Sequence, residues 1–579
     1  MSKHSVAIAK AVVAAVLLCI HTGCGTSAPP AEGASGIAIV DVDVISMDGR
    51  GILEGQTVLI EGDRIANIGP AELVRAPTGF RLIEGRGRWL MPGLVDTHTH
   101  VDDPTDLLLY LVNGVTTVVN LRGSEEHLEL RKELALSERI GPRLLTCGPF
   151  IRGNEVDAMS VRSRVEEIAH NGYDCVKAYT PGWTEESYEA LIEAVEEKDL
   201  LLIGHSPREI GLDELIEHRV QRIAHLEEIV YATPELDAWV ESFEEKPYPE
   251  ERDPRRALGG IIDDVARRLA EAQIAVAATE IVIDNYEKSA TESGRRELAS
   301  RPYTRYLDPL NRRSWASRTE SDLMRFRQQV ALQHALLEAF REHGVLMALG
   351  TDAATTSDLL VMPGWSVHEE LRILVEAGGF TPYEALRQAT VDAARYLGRR
   401  GEGVIAEGSR ADLILLEANP LEDIRHSRKI AAVVVGGRWY DHASLDERLE
   451  RRVERWRPVE ELAAEADRLL EEGDQAGAAR AYLRIADRYA EFGDEVESLV
   501  NRLGYRLIAD ERIDEAIEIL TLNRDAFPDS ANTWDSLAEA HLVRGDRAEA
   551  IRLYRRALEI DPSFSNPARM LREELGVEP

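Results

Sequence analysis

Residues 93–100 read GLVDTHTH, a short apolar run that ends in two histidines separated by one residue. Seven similar runs follow, each separated from the next by a segment with the periodicity of an amphipathic helix. The eight runs are GLVDTHTH (93–100), TTVVN (116–120), RLLTC (143–147), YDCVKAY (173–179), LLIGH (201–205), QRIAH (221–225), IAVAA (274–278) and VLMALGTD (345–352). Alternating strands and helices indicate a parallel sheet, and eight βα units in about 300 residues match a (β/α)8 TIM barrel. The sequence therefore predicts an α/β fold, with the barrel over residues 91–398.

The segments on both sides of the barrel have a different pattern. Residues 37–90 and 399–445 contain short Val/Ile-rich runs separated by Gly-Asp and Asp-Gly turns, which is typical of small antiparallel β-structure. We predict that the two flanks complete one composite β-sandwich.

Residues 446–579 change to Ala-, Leu-, Glu- and Arg-rich helices. Two copies align at a period of 34 residues: Leu503, Gly504, Ala516, Leu520 and Pro528 against Leu537, Ala538, Ala550, Tyr554 and Pro562. A weaker copy lies upstream at Gly473, Ala478 and Tyr482. The pattern resembles tetratricopeptide repeats (TPRs), helix pairs that bury their apolar faces by stacking. It implies an all-α domain that is either a groove for a protein or peptide partner or an appendage for packing or dimerisation.

Residues 1–36 have the pattern of a targeting segment. Lys3 and Lys10 precede an apolar run over 11–20, and a stretch rich in Ser, Ala, Pro and Gly follows Cys24. A basic start and an apolar run of this length predict an export signal, too short for a permanent membrane span. The Thr-Gly-Cys ending resembles a bacterial lipoprotein signal with Cys24 as the lipid anchor, although His21 departs from that pattern; the alternative is an ordinary secretory signal. We expect a periplasmic or cell-envelope protein.

Composition narrows the function classes further. Lys and Arg total 68 against 103 Asp and Glu, a net charge of −35, which argues against sequence-independent binding to nucleic acid or anionic lipid. After the leader only Cys147 and Cys175 remain. They could pair, but both fall in predicted barrel strands, so we interpret them as small buried apolar residues.

Polar residues with metal-ligating chemistry end five of the eight predicted strands. They are His98 and His100 on strand one, Lys177 on strand four, His205 on strand five, His225 on strand six and Asp352 on strand eight. A period of two puts both first-strand imidazoles on one face of the strand, where neutral nitrogens can bind a divalent metal. Unpaired charges are costly to bury, so six polar groups at one barrel mouth predict a shared metal site.

These motifs together resemble the amidohydrolase superfamily. The resemblance covers about residues 36–440 and includes MPGLVDTHTH, NGVTTVVN, YDCVKAYT, LLIGHSP, RIAHLEE, ALGTDA and PGWSVHEEL, followed by GSRADLILLEANPLEDI. It is greatest for the imidazolonepropionase-like and prolidase-like branch, metal-dependent hydrolases of amide and cyclic amide bonds.

The resemblance implies a binuclear centre, usually of Zn²⁺. It assigns His98, His100 and Asp352 to the more buried ion, His205 and His225 to the more exposed ion, and Lys177, as its carbamate, to both. A bridging water would attack the substrate carbonyl, and Asp352 would pass the proton to the leaving nitrogen. The alternatives are a mononuclear site in which Lys177 pairs with a carboxylate, and an Asp352 that is only a ligand.

The sequence indicates substrate-binding residues less clearly than metal ligands. Tyr179 shares a strand face with Lys177 and is either a substrate contact or packing at the barrel mouth. Arg208 could pair with a substrate carboxylate or be solvated, and His368 is a candidate contact or a structural residue. The charged stretch 280–320 could be a lid or a solvated insertion.

We therefore predict an exported binuclear hydrolase of an amide or peptide-like C–N bond, with a dipeptide, an N-acyl amino acid or a similar molecule as substrate. Hydrolysis of a cyclic amide, an imidazolone or a lactone at the same site is the first alternative. The second is a TPR interaction protein with an inert barrel.

Overall fold

The computed structural model describes residues 36–218, 222–243, 252–314, 323–354 and 361–578. The strands are β1 (Ile37–Ile45), β2 (Ile52–Glu61), β3 (Arg64–Pro70), β4 (Arg81–Glu84), β5 (Trp89–Pro92), β6 (Leu94–Thr99), β7 (Val115–Asn120), β8 (Arg143–Thr146), β9 (Ile151–Arg152), β10 (Cys175–Tyr179), β11 (Leu201–Gly204), β12 (Arg222–Ala224), β13 (Ala275–Ala278), β14 (Leu346–Leu349), β15 (Leu413–Leu416), β16 (Ile430–Val435) and β17 (Arg438–Asp441).

The α-helices up to the end of the barrel are α1 (Leu107–Val112), α2 (Glu125–Leu136), α3 (Ala158–Asn171), α4 (Glu185–Glu197), α5 (Gly211–Glu217), α6 (Glu227–Tyr231), α7 (Pro234–Glu241), α8 (Pro254–Glu271), α9 (Glu280–Ser289), α10 (Glu292–Ala299), α11 (Pro309–Ser314), α12 (Leu323–His343), α13 (Trp365–Glu376), α14 (Pro382–Gln388) and α15 (Val391–Tyr396). Those of the C-terminal region are α16 (His442–Glu471), α17 (Gln475–Arg488), α18 (Gly493–Ala509), α19 (Ile513–Ala526), α20 (Ala531–Arg544), α21 (Arg547–Ile560) and α22 (Ser565–Arg569).

The predicted α/β barrel is confirmed. All eight predicted runs contain a strand, and the strands form two parallel arcs, β6-β7-β8 and β9-β10-β11-β12-β13-β14. Parallel bridges between Thr99 and Ala353 and between Cys147 and Cys175 join the arcs at both edges and close the barrel. All barrel strands run in one direction, so their carboxyl ends meet at one mouth of the barrel. Barrel enzymes place their active sites at this mouth.

Both flanks contribute to one β-domain, built as a continuous eight-stranded sheet in the order β17-β16-β15-β5-β1-β2-β3, with β4 also paired to β1. The two flanks meet where β5 pairs antiparallel with β15. Buried side chains from both flanks, including Val44, Val58, Leu413 and Val434, share one apolar core. The flanking segments are therefore one structural unit, although about 320 residues of barrel separate them in the sequence.

The interpretation of the two cysteines as unpaired apolar residues is wrong. Cys147 and Cys175 form a disulfide with a Cα–Cα distance of 4.2 Å. Cys147 follows β8 and Cys175 begins β10, and the stagger between these strands places the two residues side by side. The bond closes a loop of 28 residues, for which chain-entropy models give a stabilisation of about 3–4 kcal/mol.

The C-terminal region is a stack of antiparallel helices, α16 to α22. The positions that define the repeat are core positions: Ala516, Leu520, Ala550 and Tyr554 are fully buried. Gly504 permits close packing, because a Cβ atom there would lie 2.5 Å from the side chain of Leu520. The predicted boundary at 445/446 falls inside α16, since this helix starts directly after β17 and continues into the stack.

The charged stretch from Glu280 is neither a free lid nor a solvated loop where the structure describes it. It forms α9, α10 and α11, and Leu310 of α11 is fully buried in the apolar core of the helical stack. The expectation of a solvated insertion therefore needs correction: α9 packs against α12 and α13 of the barrel, and α11 docks on the C-terminal region.

The predicted leader and Cys24 lie outside the described residues. No helix in the described ranges is both long enough and apolar enough to span a membrane.

Candidate metal centre

The six residues assigned to the metal centre all lie at the carboxyl ends of barrel strands. His98 is in β6 and His100 follows it, Lys177 is in β10, His205 follows β11, His225 follows β12, and Asp352 lies three residues beyond β14. Gly350 permits the approach of strands one and eight, because a Cβ atom at this position would lie 2.8 Å from Cβ of His98.

Two of these residues have strained backbones. His225 has a φ of +81° and Asp352 a φ of +56°, in the left-handed region that non-glycine residues rarely adopt. Such conformations cost on the order of 1–3 kcal/mol each and concentrate at functional sites, where they direct side chains that the chemistry requires.

His98, His100 and Asp352 form the tightest group of candidate ligands. Oδ1 of Asp352 lies 3.1 Å from Nε2 of His98 and 2.9 Å from Nε2 of His100. One ligand atom from each lies within 4.8 Å of the other two, close enough to share one ion. Burial and the Lys177 charge lower the pKa of His98 to about 4. Burial alone would raise the pKa of Asp352, but the three imidazoles of His98, His100 and His225 hold it well below its usual value.

His205 and His225 extend the group along the mouth. The ring of His225 lies 4.3 Å from that of His98 and 5.0 Å from that of His205, measured between centroids. Burial lowers the pKa of both His205 and His225 well below its usual value, so both imidazoles are neutral, the form that binds metals.

Each of these two rings is oriented by a neighbouring side chain. Nδ1 of His225 hydrogen-bonds to the Thr279 hydroxyl at 2.9 Å, and Nδ1 of His205 lies 3.1 Å from Oε1 of Glu228. Burial, followed by the charge of Glu227, raises the pKa of Glu228 to about 8. In metal sites such outer contacts fix the tautomer and leave the other nitrogen for the ion.

Thr279→Val is expected to weaken metal binding about 10- to 100-fold, the range usual for the loss of an outer hydrogen bond to a histidine ligand. Valine keeps the shape of threonine and removes its hydroxyl. Metal affinity can be measured by competition with a chromogenic chelator, with Thr279→Ser as the matched control that keeps the hydroxyl. Equal affinities for Thr279→Val and the unchanged protein would show that this hydrogen bond does not orient the ligand.

Lys177 lies near three of the candidate ligands, since its charge acts on His98, His205 and His225. Its side chain is 1% exposed, and its Nζ atom has no hydrogen-bond partner among the described residues. Burial lowers the pKa of its amine to about 8. A buried lysine without a partner is costly as an ammonium, and a lowered pKa increases the neutral, nucleophilic fraction of the amine.

The donor set fits divalent metal. Four imidazoles and a carboxylate are the nitrogen and oxygen ligands that Zn²⁺ prefers, and buried atoms of the site lack partners within the described chain. These atoms are Nζ of Lys177 and the Nδ1 atoms of His98 and His100. Bound divalent ions would give these buried nitrogen atoms a partner that the described residues do not supply.

Tyr179 lies in the wall of the mouth. Its ring stacks on Phe150 at 5.0 Å and lies 4.5 Å from the ring of His205, and the Arg152 guanidinium lies 5.3 Å from its centroid. Arg208 is exposed, and its guanidinium lies over the Tyr231 ring at 3.6 Å. Both residues therefore border the mouth, with Arg208 at its rim.

The assignment of His368 as a substrate contact needs correction. His368 is buried in α13, with Nδ1 2.8 Å from the Ser427 hydroxyl and Nε2 3.0 Å from the Asn113 carbonyl oxygen. Both ring nitrogens are occupied by these two partners, so His368 is a structural residue, the second of the two alternatives.

Some supporting residues were missed at the sequence level. Asp96 accepts hydrogen bonds from the Thr351 hydroxyl at 2.6 Å and the Thr351 amide at 3.1 Å, which ties strand one to strand eight. Burial raises the pKa of Asp96 to about 7 in spite of these bonds. Asp96 lies within the VDTHTH motif and Glu228 within the RIAHLEE motif, so their positions beside the histidine ligands could have indicated a supporting role. Thr279 lies in no such motif, and nothing in the sequence indicates its role.

Comparisons with known proteins agree with this architecture. Residues 314–440 match the model of the amidohydrolase family, and residues 531–564 match that of the tetratricopeptide repeat. A segment of 108 residues is 41% identical to ochratoxinase of Aspergillus niger and covers 18% of this chain and 21% of that protein. The matched segment thus spans about a fifth of that curated relative's length.

Longer matches have lower identity. Imidazolonepropionase of Idiomarina loihiensis is 27% identical over 385 residues, which cover 63% of this chain and 87% of that protein. The crystal structure of a Xaa-Pro dipeptidase with bound methionine in its active site superimposes with a TM-score of 0.51 at 18% identity, covering 70% of this chain and all of that one. These matches confirm the resemblance to amidohydrolases and to tetratricopeptide repeats, and the barrel fold.

Proposed function

We propose that this chain is an exported, metal-dependent hydrolase that cleaves an amide or peptide-like C–N bond. The observation that carries the proposal is the convergence of His98, His100, His205, His225 and Asp352 at one barrel mouth with the buried amine of Lys177, which has no hydrogen-bond partner among the described residues. Neither packing nor ion pairing among the described residues explains why a barrel mouth would bury these groups together.

Two divalent ions, with Zn²⁺ the expected metal, would occupy the site. His98, His100 and Asp352 would hold the first, His205 and His225 the second, and Lys177 would be shared between them as its carbamate. Such ions, when bound, supply a water of lowered pKa and an electrophile for the substrate carbonyl.

Lys177 has the properties that carbamate formation requires. Its neutral amine would attack CO2, forming an N–C bond and releasing one proton, which replaces a cation by a bidentate anion. Burial favours this change, because the lowered pKa of about 8 makes the neutral amine accessible.

Asp352 is the proposed proton carrier. Its low pKa keeps it ionised at neutral pH. As a carboxylate at the barrel mouth, it would accept a proton from the attacking water and donate it to the leaving nitrogen. The contacts of Oδ1 with His98 and His100 restrict the side-chain rotation, which leaves the carboxylate aligned with the mouth.

The wall of the mouth supports a substrate with an aromatic or carboxylate group beside the scissile bond. Tyr179 and Phe150 offer aromatic surface next to the histidines, and Arg152 and Arg208 place positive charge at the rim. We propose dipeptides and N-acyl amino acids as the substrate class, a choice that the likeness to a Xaa-Pro dipeptidase supports.

Export of the chain rests on the leader pattern of residues 1–36, with Cys24 as the proposed lipid anchor. The Cys147–Cys175 disulfide supports an oxidising compartment, because buried structural disulfides are rare in the cytosol. The proposed location is the periplasm or the cell envelope.

A substrate panel tests the reaction. Purified protein would be assayed with dipeptides, N-acyl amino acids, hydantoins, imidazolones and lactones, before and after chelation and Zn²⁺ restoration. We expect turnover of linear amides, lost on chelation and restored by metal. Preferential turnover of imidazolones or lactones would overturn the substrate class, and no turnover with any metal would favour an interaction protein with an inert barrel.

A further inference from the structure

Helix α16 belongs to two hydrophobic cores at once. Leu445 and Leu449, near its start, are fully buried in the barrel core, whereas Val459, Ala463 and Ala466 are buried in the core of the helical stack. The helix has 30 residues and is therefore about 45 Å long at 1.5 Å per residue. The stack is consequently joined to the barrel by one helix, which contains Pro458 between the two sets of buried residues, and no separate linker segment lies between the two cores.

Between these two cores α16 contacts the loop after strand one. The side chain of Arg452 is only 9% exposed and forms an ion pair with Asp106, whose side chain is 7% exposed. Arg452 also donates to the Thr105 carbonyl oxygen at 2.9 Å and lies 3.5 Å from Asp103. Its guanidinium stacks over Trp456, one turn further along the helix, at 4.2 Å.

This loop, residues 101–106, directly follows the candidate ligands His98 and His100. On its barrel side it is held by His127, whose Nε2 lies 2.8 Å from the Val101 carbonyl oxygen. On its outer side it is held by Arg452. The loop is therefore clamped between α2 and α16.

The same helix also holds the segment after strand seven. Glu460 of α16 binds Arg312 at 2.7 Å and Arg313 at 3.0 Å, and Asp467 of α16 binds Arg313 at 2.8 Å. Arg313 is only 17% exposed at its side chain. Leu310 completes the contact by entering the core of the stack.

We infer that α16 braces the mouth of the barrel, and that Arg452 is a positioning residue for the metal centre through the 101–106 loop. The helical stack would thus contribute to the catalytic unit, because α16 joins it to the loop that directly follows His98 and His100. This inference rests on the proposed function only where it concerns turnover, since the loop order that it predicts can be measured without a substrate.

The test compares three variants of the full-length protein: Arg452→Ala, Arg452→Lys and Arg451→Ala. Arg451 is the matched control, because it lies on the same helix, is 64% exposed and forms an ion pair with the exposed Glu447, at 4.0 Å. Each variant is examined by hydrogen–deuterium exchange of residues 101–112, by the rate of metal release to a chelator, and by kcat and KM on the best linear amide.

We expect Arg452→Ala to increase exchange in residues 101–112 and to release metal at least tenfold faster. Its kcat should fall at least tenfold with KM changed less than threefold. Arg452→Lys should recover part of each effect, and Arg451→Ala should match the unchanged protein.

The outcomes separate this inference from the proposed function. If Arg452→Ala lowers the melting temperature but leaves loop exchange, metal release and kcat of the folded protein unchanged, Arg452 is merely structural and the inference is wrong. If the unchanged protein hydrolyses no amide but loop exchange and metal release respond as expected, the proposed function is wrong and the positioning role of Arg452 is supported.

Discussion

Lys177→Ala is expected to remove bound metal and to lower kcat/KM by about 10³-fold or more, since the loss of a shared ligand forfeits several kcal/mol of transition-state stabilisation. Alanine keeps the β-strand and leaves a cavity in place of the buried amine. Metal content by elemental analysis and steady-state kinetics on a linear amide would measure both effects. Lys132→Ala is the matched control, because Lys132 is 67% exposed on α2.

Chemical rescue adds a specific test of the carbamate. A small carboxylate such as acetate can enter the cavity of Lys177→Ala and replace the lost anion. We expect acetate to restore part of the metal content and activity of Lys177→Ala, with no effect on Lys132→Ala. Full metal occupancy and unchanged turnover in Lys177→Ala without acetate would exclude a bridging role for the lysine.

Asp352→Asn is expected to lower kcat by about 10²–10⁴-fold, the usual contribution of a positioned acid–base group. Asparagine preserves the size of the side chain and removes its ability to accept a proton. The control is Asp514→Asn, which changes an aspartate that is 87% exposed in the helical stack.

Metal content distinguishes the two roles of Asp352. If the Asp352→Asn variant retains the metal but no longer turns over substrate, the carboxylate of Asp352 acts in proton transfer. If metal and turnover fall together in proportion, Asp352 is a ligand only, and the proton-carrier role is contradicted. Above neutral pH the unchanged enzyme should show no loss of kcat from Asp352 itself, because its lowered pKa keeps it ionised there.

Much of the fold could be predicted because it depends on local sequence periodicity. The eight barrel strands are apolar runs separated by helical segments, and the repeat positions such as Ala516 and Tyr554 recur at a fixed period. The candidate ligands could be assigned because parallel strands bring their carboxyl ends together, so that distant residues such as His98 and Asp352 become neighbours.

The remaining features depend on how elements pack, which the local pattern does not determine. The disulfide required the stagger of neighbouring strands, which brings the end of β8 beside the start of β10. The contact of Arg452 with Asp106 joins residues 346 positions apart and exists because α16 packs against α1 and the loop before it. His368 was assigned from its motif, which does not show which way a buried imidazole faces.

The metal content of the purified full-length protein, measured together with turnover, tests the central claim most directly. Our account predicts two equivalents of divalent metal per chain and hydrolysis of a linear amide that is lost when the metal is removed. A protein that retains no metal after mild purification, binds none from added Zn²⁺ and hydrolyses no amide would contradict it.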